Sequence, residues 1–536
     1  MKFSNTYIKL GEKFFHRTLP EKVVSPTLLL WNKALAHDLF IPENIQEDHL
    51  LLSQYGSGNQ LPIGAESIAL AYSGHQFGHF NPQLGDGRAH LLGEVLDKDN
   101  VRRDIQLKGS GQTGFSRRGD GKCALAPALR EYIMSEALFA LGAPTSRCLS
   151  VVATGETINR GLTKAGAVVT RVAASHIRVG TFQYFAARGD TASLQALVDY
   201  SIKRHFPEID TDDTVNNIPL TSDQRILAFL ASAITKQITL VVEWLRIGFI
   251  HGVMNTDNTA ICGETLDFGP CAMLGDYHEN KVFSSIDEYG RYAFGNQGKI
   301  AQWNMARLAD CLMPLLTEAS DKQLTEEEQE EQEEREEKAL TKVEALILQY
   351  TDQFDVAYFT MYGKKLGLAN IGENNTALNN KSLISELLTL MQTQKLDYTQ
   401  TFLELTQSLT DDAKAQELQS KLGDWYQRWL VVLRQEEPKQ ESHQQKNYQN
   451  AQDLMRKNNP VVIPRNHHIE SILDVCETVI ANDLSCAKNS TKKVITETVD
   501  EFLQVLRSPY KEIESTAKYQ ELPGDGDRYY QTYCGT

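Results

Sequence analysis

Strand-prone and helix-prone sequence are segregated along this chain, and that ordering limits the fold more than any other feature. From about residue 60 to 180 the chain is rich in glycine and carries short β-prone runs at Ala89–Val95, Asp104–Lys108, Leu149–Thr154 and Ala167–Val172. We read these as strands of a mixed sheet. Between them a helix is expected over Leu125–Leu141, with Leu125, Leu129, Ile133 and Ala140 near one face and Gly142 and Pro144 just past its end. Beyond about residue 190 the periodicity is helical: Ser222–Gly248 is a long apolar-periodic segment, and helices resume from Gln302 to the C-terminus. Strands first and helices later is an α+β pattern. A chain of 536 residues holds several ordinary domains, or one large two-lobed enzyme with a helical extension.

The helical half is interrupted by His251 Gly252 Val253 Met254 Asn255 Thr256 Asp257 Asn258, followed by Asp267 Phe268 Gly269. This resembles the catalytic centre of a protein kinase, written H-x-D-x-x-x-x-N and then D-F-G. There the first Asp takes the proton of the attacking hydroxyl, and the Asn and the later Asp hold magnesium on the phosphates. His251 and Asn258 keep the spacing and Asp267 follows, but Val253 stands where the base would be. Asp257, beside the metal-binding Asn, is a carboxylate that can take over that role.

A second group combines glycines with bases: Leu84 Gly85 Asp86 Gly87 Arg88, then Leu107 Lys108 Gly109 Ser110 Gly111 Gln112 Thr113 Gly114, then Arg117 Arg118 Gly119 Asp120 Gly121 Lys122. Glycines let backbone amides approach an anion and Lys or Arg neutralises it, so the set suggests polyphosphate binding; the bland alternative is turn glycines with surface bases. Gly109–Gly114 matches the dinucleotide fingerprint, but the acidic residue required at the end of a following strand is replaced by a helix. Lys108 ends a strand and an acid-bearing helix follows, the kinase order of strand Lys and helical Glu. Periodicity does not choose between Glu131 and Glu136. Arg171 and Arg178 bracket Val172–Ile177, and Arg171, at the end of an apolar run, must find an anion, whether phosphate or a structural carboxylate, or stay wet. His75 and His79 have metal-like spacing on a helix, but Gly74 and Gly78 argue against a helix there.

A net charge of −16 argues against a broad nucleic-acid surface, although a local basic patch is compatible with it. Much of that net charge comes from Thr325–Lys338, read as a solvated helix face or a flexible insertion, and Glu436–Gln452 reads as a surface connection. Met1–Pro20 has no apolar core of a secretory signal and no run is expected to reach the length of a membrane span, so we expect a cytoplasmic protein without membrane or nucleic-acid partners. The eight cysteines contain no C-x-x-C pair and read mostly as buried small hydrophobes, with Cys534 on the terminal tail as a redox candidate.

Together these pieces resemble the selenoprotein O family of kinase-like proteins. The resemblance rests on Tyr72 Ser73 Gly74 His75 Gln76 Phe77 Gly78, Gln83 to Ala89, Leu107 Lys108 Gly109, Gly119 Asp120 Gly121, Arg130 Glu131, the Arg171–Arg178 segment, and His251–Asn258 with Asp267, and it runs from about residue 25 to the end. It implies a bilobal, protein-kinase-like α+β fold with residues 1–185 as N-terminal extension and nucleotide-binding lobe, 186–320 as the lobe with catalytic and metal-binding segments, and 321–536 as a helical extension. It implies protein adenylylation, with ATP bound in an orientation flipped from that of kinases, so that AMP passes to Ser, Thr or Tyr hydroxyls of proteins, self-modification included. By the same resemblance Gly85, Gly87, Arg88, Lys108, Asp120, Gly121, Arg171 and Arg178 contact the nucleotide. Asp257 is the base, Asn258 and Asp267 bind Mg2+ or Mn2+, and Glu131 pairs with Lys108. Relatives often carry a selenocysteine or Cys where Cys534 lies, and some pair it with a Cys near Phe283 Ser284 Ser285, which this chain lacks. The competing expectations are a conventional phosphotransferase and a catalytically silent nucleotide-binding or redox scaffold.

Overall fold

The structure, a computed structural model, describes residues 2–211, 220–317, 325–369, 375–436, 448–483, 486, 488–525 and 527–533. Its strands are β1 (Phe15–Arg17), β2 (Thr27–Trp31), β3 (Ile68–Leu70), β4 (Gly74–Gln76), β5 (His79–Asn81), β6 (Ala89–Leu96), β7 (Arg102–Lys108), β8 (Cys123–Ala124), β9 (Arg147–Asn159), β10 (Thr163–Ala173), β11 (Phe249–Ile250) and β12 (Ala272–Met273). The main sheet runs β1-β3-β6-β7-β10-β9-β2, with β8 beside β10; β4 pairs β5, and β11 pairs β12. Every pairing between these strands is antiparallel, which corrects the expected mixed sheet. The reason is local: short turns join β6 to β7 and β9 to β10, and a short turn can only reverse the chain.

In the sheet-bearing part the helices are α1 (Lys33–Asp38), α2 (Glu43–Gln46), α3 (His49–Ser57) and α4 (Leu125–Leu141). α4 has the boundaries its periodicity predicts, and Gly142 ends it in the left-handed region at φ 87°, its N–H returning to Leu138 O and Phe139 O. The short α1–α3 layer was not anticipated. Strand alternation divides the sheet between the two layers. On β10, Val169 and Arg171 face α4, whereas Val168 and Val172 join Leu35, Leu39, Ile105, Leu107 and Leu149 under α1–α3.

The helical part contains α5 (Val179–Ala186), α6 (Thr191–His205), α7 (Glu208–Thr211), α8 (Ser222–Ile247), α9 (Gln297–Leu316), α10 (Glu326–Lys365), α11 (Asn375–Gln394), α12 (Tyr398–Ser408), α13 (Asp412–Leu422), α14 (Asp424–Glu436), α15 (Gln449–Asn458), α16 (Asn466–Ala481), α17 (Asn489–Leu506) and α18 (Thr516–Gln520). α8 begins at a Thr221–Gln224 capping box, where each side chain accepts from the other's backbone N–H. At 26 residues it is long and apolar enough to cross a membrane, contrary to the expectation that no run would be. It is buried instead within the helical core, where Phe229, Ala233, Val241 and Leu245 are all inaccessible or nearly so. The acidic run expected at Thr325–Lys338 is the exposed first part of α10, capped by Thr325 and carrying Lys338–Glu334 and Arg335–Glu331 pairs. Of the connection expected at Glu436–Gln452, residues 437–447 lie outside the described residues. Its end starts α15, where Gln449 and Asn450 are exposed as expected while Tyr448 and Gln452 are buried, Gln452 donating to Thr406 O.

Candidate active site

Sheet geometry fixes the first part of the site. Lys108 at the end of β7 and Arg171 on β10 point to the α4 face by the alternation just described. There Lys108 Nζ meets Glu131 Oε2 at 2.7 Å and Asp267 Oδ1 at 3.0 Å. Arg171 Nε also bonds Glu131, and its Nη2 lies 3.6 Å from Asp267 Oδ1. Glu131 is thus the Lys108 partner, and Glu136 instead holds Arg147 at 2.6 and 2.9 Å. Burial raises the carboxyl pKa of Glu131, but Arg171 and Lys108 outweigh it and lower it to about 2. Asp267 is balanced the same way, with burial opposed by Lys108, Arg171 and Arg88, and is held well below the usual range. Both of its cation contacts fall on Oδ1, which leaves Oδ2 for another ligand.

The His251–Asn258 stretch follows β11. His251 donates from Nε2 to Leu266 O at 2.8 Å and accepts Val253 N–H on Nδ1 at 3.3 Å, so its partners dictate a neutral Nε2–H tautomer. One buried imidazole therefore ties the 251–258 loop to the segment carrying Asp267. The loop is also stapled to the β4–β5 hairpin. His75 N–H donates to Thr256 Oγ1 at 2.6 Å, Thr256 donates to Gln183 Oε1 at 2.7 Å, and Gln183 Nε2 donates back to His75 Nδ1 at 2.7 Å. Asn255 Oδ1 accepts from Phe77 N–H at 3.0 Å and from Tyr292 Oη at 2.6 Å. His75 and His79 are therefore hairpin residues, not a helical metal pair.

This scaffold presents Asp257. Its Oδ2 accepts from Gln76 Nε2 at 3.1 Å, while its Oδ1 is buried without a hydrogen-bond partner among the described residues. Burial pushes the carboxyl up to about 6, against the pull of Gln76 and Arg178. Gly74 allows the approach, because a Cβ there would sit 2.7 Å from Asp257 Oδ1. Val253 offers only a small apolar side chain at the usual base position and is 6% exposed. Asn258 donates from Nδ2 to Val253 O at 3.1 Å, which turns its oxygen outward as an acceptor.

The glycine-rich segments complete a cleft of about 800 Å³ that also includes Asp257, Asn258 and Asp267. Gly85, Gly87, Arg88, Lys108, Asp120, Gly121, Arg171 and Arg178 all line it. Gly121 has φ 70°, and a Cβ on it would lie 2.2 Å from the Gly111 carbonyl carbon, so only glycine closes this turn without displacement. Asp120 accepts both terminal nitrogens of Arg160 at 2.7 and 2.8 Å and the Lys122 N–H at 3.0 Å, which shapes the basic loop. Arg178 donates to His176 O at 3.0 Å, stands 3.5 Å from Asp86 and lies over the Tyr72 ring, yet its Nε is buried and makes no hydrogen bond among the described residues. Arg171 Nη2 likewise makes no hydrogen bond among the described residues, its contact being the 3.6 Å ion pair with Asp267. Buried guanidinium donors left open beside a cleft fit an anionic ligand. An acid carboxylate with a free oxygen and an amide oxygen form a hard donor pair suited to a divalent cation.

The structure thus brings together every expected site residue except Cys534, which lies outside the described residues. Sequence reasoning gave no role to Gln76, Thr256 or Gln183. Their signal was the Tyr72–Gly78 motif, whose packing partner is far away in sequence.

A cation-rich cleft between an antiparallel sheet and a helical body, with carboxylates and an amide at its base, is the equipment of an enzyme that transfers groups from a nucleotide. A profile of the family described as protein adenylyltransferase SelO matches residues 1–496. The chain is 44% identical over 536 residues to a protein from Teredinibacter turnerae, covering all of both chains. It is 46% identical over 530 residues to one from Pseudoalteromonas translucida, covering 99% of each. Over 541 residues it is 42% identical to one from Rhodopseudomonas palustris, covering 100% of this chain and 99% of that one. Each relative bears the name protein nucleotidyltransferase YdiU. The chain belongs to the protein adenylyltransferase SelO family, and it is a nucleotidyltransferase.

Proposed function

We propose that this protein transfers AMP from ATP to Ser, Thr or Tyr hydroxyls of proteins, its own included, in a bilobal kinase-like frame with the boundaries 1–185, 186–320 and 321–536. The observation that carries the reading is Asp257, a buried carboxylate among the residues lining the cleft, one of its oxygens without a hydrogen bond among the described residues, where a kinase base position is occupied by Val253. Asp257 takes the proton from the substrate hydroxyl as its oxygen attacks the α-phosphorus. The bond from that phosphorus to the bridging oxygen breaks, and pyrophosphate leaves with the electron pair. Lys108, Arg171, Arg178 and Arg88 hold the phosphates and stabilise the charge that develops on the leaving oxygens. Asn258 and Asp267 would hold Mg2+ or Mn2+, which supplies charge neutralisation at the phosphates. Glu131 keeps Lys108 and Arg171 aimed into the cleft. In this reading the nucleotide lies with its α-phosphate toward Asp257, the orientation opposite to that of a kinase.

The test is incubation of the purified protein with Mn2+ or Mg2+ and ATP labelled on either the α- or the γ-phosphate. Protein-bound label from the α position alone is expected. Label from γ alone would make the protein a phosphotransferase, and label from neither, with nucleotide bound, would make it a silent scaffold.

A further inference from the structure

The described end of the chain is not a free tail. It lies across two elements that meet at the ionic centre of the cleft. On the side of Asp267, Thr532 Oγ1 donates to Pro270 O at 2.7 Å. Thr532 N–H donates to Phe283 O at 2.8 Å, and Ser285 N–H donates to Thr532 O at 2.9 Å, so Ser284 and Thr532 form a parallel bridge. Asn466 at the start of α16 reinforces the joint, its Nδ2 donating to Asp527 Oδ2 at 3.0 Å and to Met273 O on β12 at 2.8 Å. On the side of α4, Tyr530 Oη accepts from Arg130 Nη1 and Nη2, both at 3.2 Å, and donates to Glu470 Oε1 at 2.7 Å. Arg130 also pairs directly with Glu470. Arg130 immediately precedes Glu131.

Lys108 reaches Glu131 and Asp267 together only when α4 and the segment after Asp267 are in register. The sheet sets Lys108 and Arg171, and the hydrogen bonds that Thr265 makes with Pro144 and Ser146 tie the end of α4 to the residues before Asp267; the residues after Asp267 are held to α4 by other contacts. A six-residue strip, 527–532, touches both acid-bearing elements through hydrogen bonds of ordinary length, and the Tyr530 ring packs edge-on against Phe283 at 5.6 Å. We propose that Tyr530 and Thr532 are positioning residues for nucleotidyl transfer: the terminal strip clamps α4 to the 267–285 segment, so that Glu131 and Asp267 close on Lys108. The clamp is non-covalent and does not require a thiol. Its consequence for catalysis rests on the function proposed above, whereas its consequence for the two elements does not.

Loss of the Tyr530 hydroxyl leaves Arg130 and Glu470 paired with each other, so Tyr530→Phe removes the link without stranding a buried charge. The experiment compares wild type, Tyr530→Phe, Thr532→Val and the double variant, with Tyr529→Phe as control because Tyr529 is 79% exposed. Hydrogen–deuterium exchange is read over 125–141 and 267–285. Affinity for a fluorescent ATP analogue with Mn2+ and the kcat and KM of AMP transfer are read alongside. The double variant is expected to exchange faster in those two segments only, and to weaken nucleotide affinity roughly tenfold, the scale of one or two hydrogen bonds. Unchanged exchange in both segments, or faster exchange spread over the whole chain with a falling melting temperature, would overturn the clamp. If wild type itself binds and transfers nothing, the functional proposal fails while the exchange pattern still decides the clamp.

Discussion

Asp257 carries opposite consequences for activity and for stability. Its carboxyl is raised from 3.8 to about 6 by burial, so between those pH values the folded state holds a proton that the unfolded chain has lost. Folding stability from this residue therefore falls as pH rises through that window, by about 3 kcal/mol at about 1.4 kcal/mol per unit. In the proposed role of base the residue works only when ionised, so transfer is expected to rise with pH to a plateau above about 6. Asp257→Asn keeps the Gln76 contact and removes the buried charge. It is expected to lower kcat by about 10²–10⁴-fold and, at pH 8, to raise the melting temperature. A urea titration alongside the kinetics checks both, and a variant that is both inactive and destabilised would count against this account of the residue. Arg178 is a second case: its unpartnered Nε predicts that Arg178→Lys, which keeps charge but loses the planar fork, raises the KM for ATP several-fold more than it lowers kcat.

At the scale of elements, the basic loop around Gly121 is set by backbone contact rather than by side chains. Gly121→Ala would drive a methyl group into the Gly111 carbonyl, so the loop should move and the KM for ATP should rise by about tenfold or more, with the melting temperature little changed. Isothermal titration with a non-hydrolysable ATP analogue measures it. α4 was legible because apolar spacing and the Gly142–Pro144 stop agree, and the β7 end at Lys108 was legible from its run of β-formers. Strand direction was not, since an apolar run is the same read either way, and the mixed sheet proved antiparallel. The choice of Glu131 over Glu136 was equally closed to periodicity. Both are buried on α4, and only the position of Arg147 on β9 draws Glu136 away. Asp257 and Asp267 could be named from local motifs, whereas Gln76 and the His75–Thr256–Gln183 ring join residues more than 70 apart, a distance over which spacing carries no information.

Over the whole molecule, the terminal helices are locked to the body by a buried bidentate pair, Arg465 to Asp397 at 2.8 and 3.1 Å, with Asp397 also capping α12 through Gln400 N–H. Arg465→Ala leaves that acid buried and unpaired and is expected to cost about 3–5 kcal/mol in denaturant unfolding. The acidic start of α10 is its counterpart: the carboxylates are solvated, and replacing Glu330, Glu331, Glu333 and Glu334 by Gln should change stability by less than about 1 kcal/mol. A chain of net charge −16 thus solvates its densest acidic run on α10 and gathers cations in the cleft. The most direct measurement of what that cleft does is transfer from ATP labelled at the α- or γ-phosphate by wild type, Asp257→Asn and Asp267→Ala. Our account predicts α label on protein with wild type and its loss in both variants. Label from the γ-phosphate, or α label that survives Asp257→Asn, would contradict it.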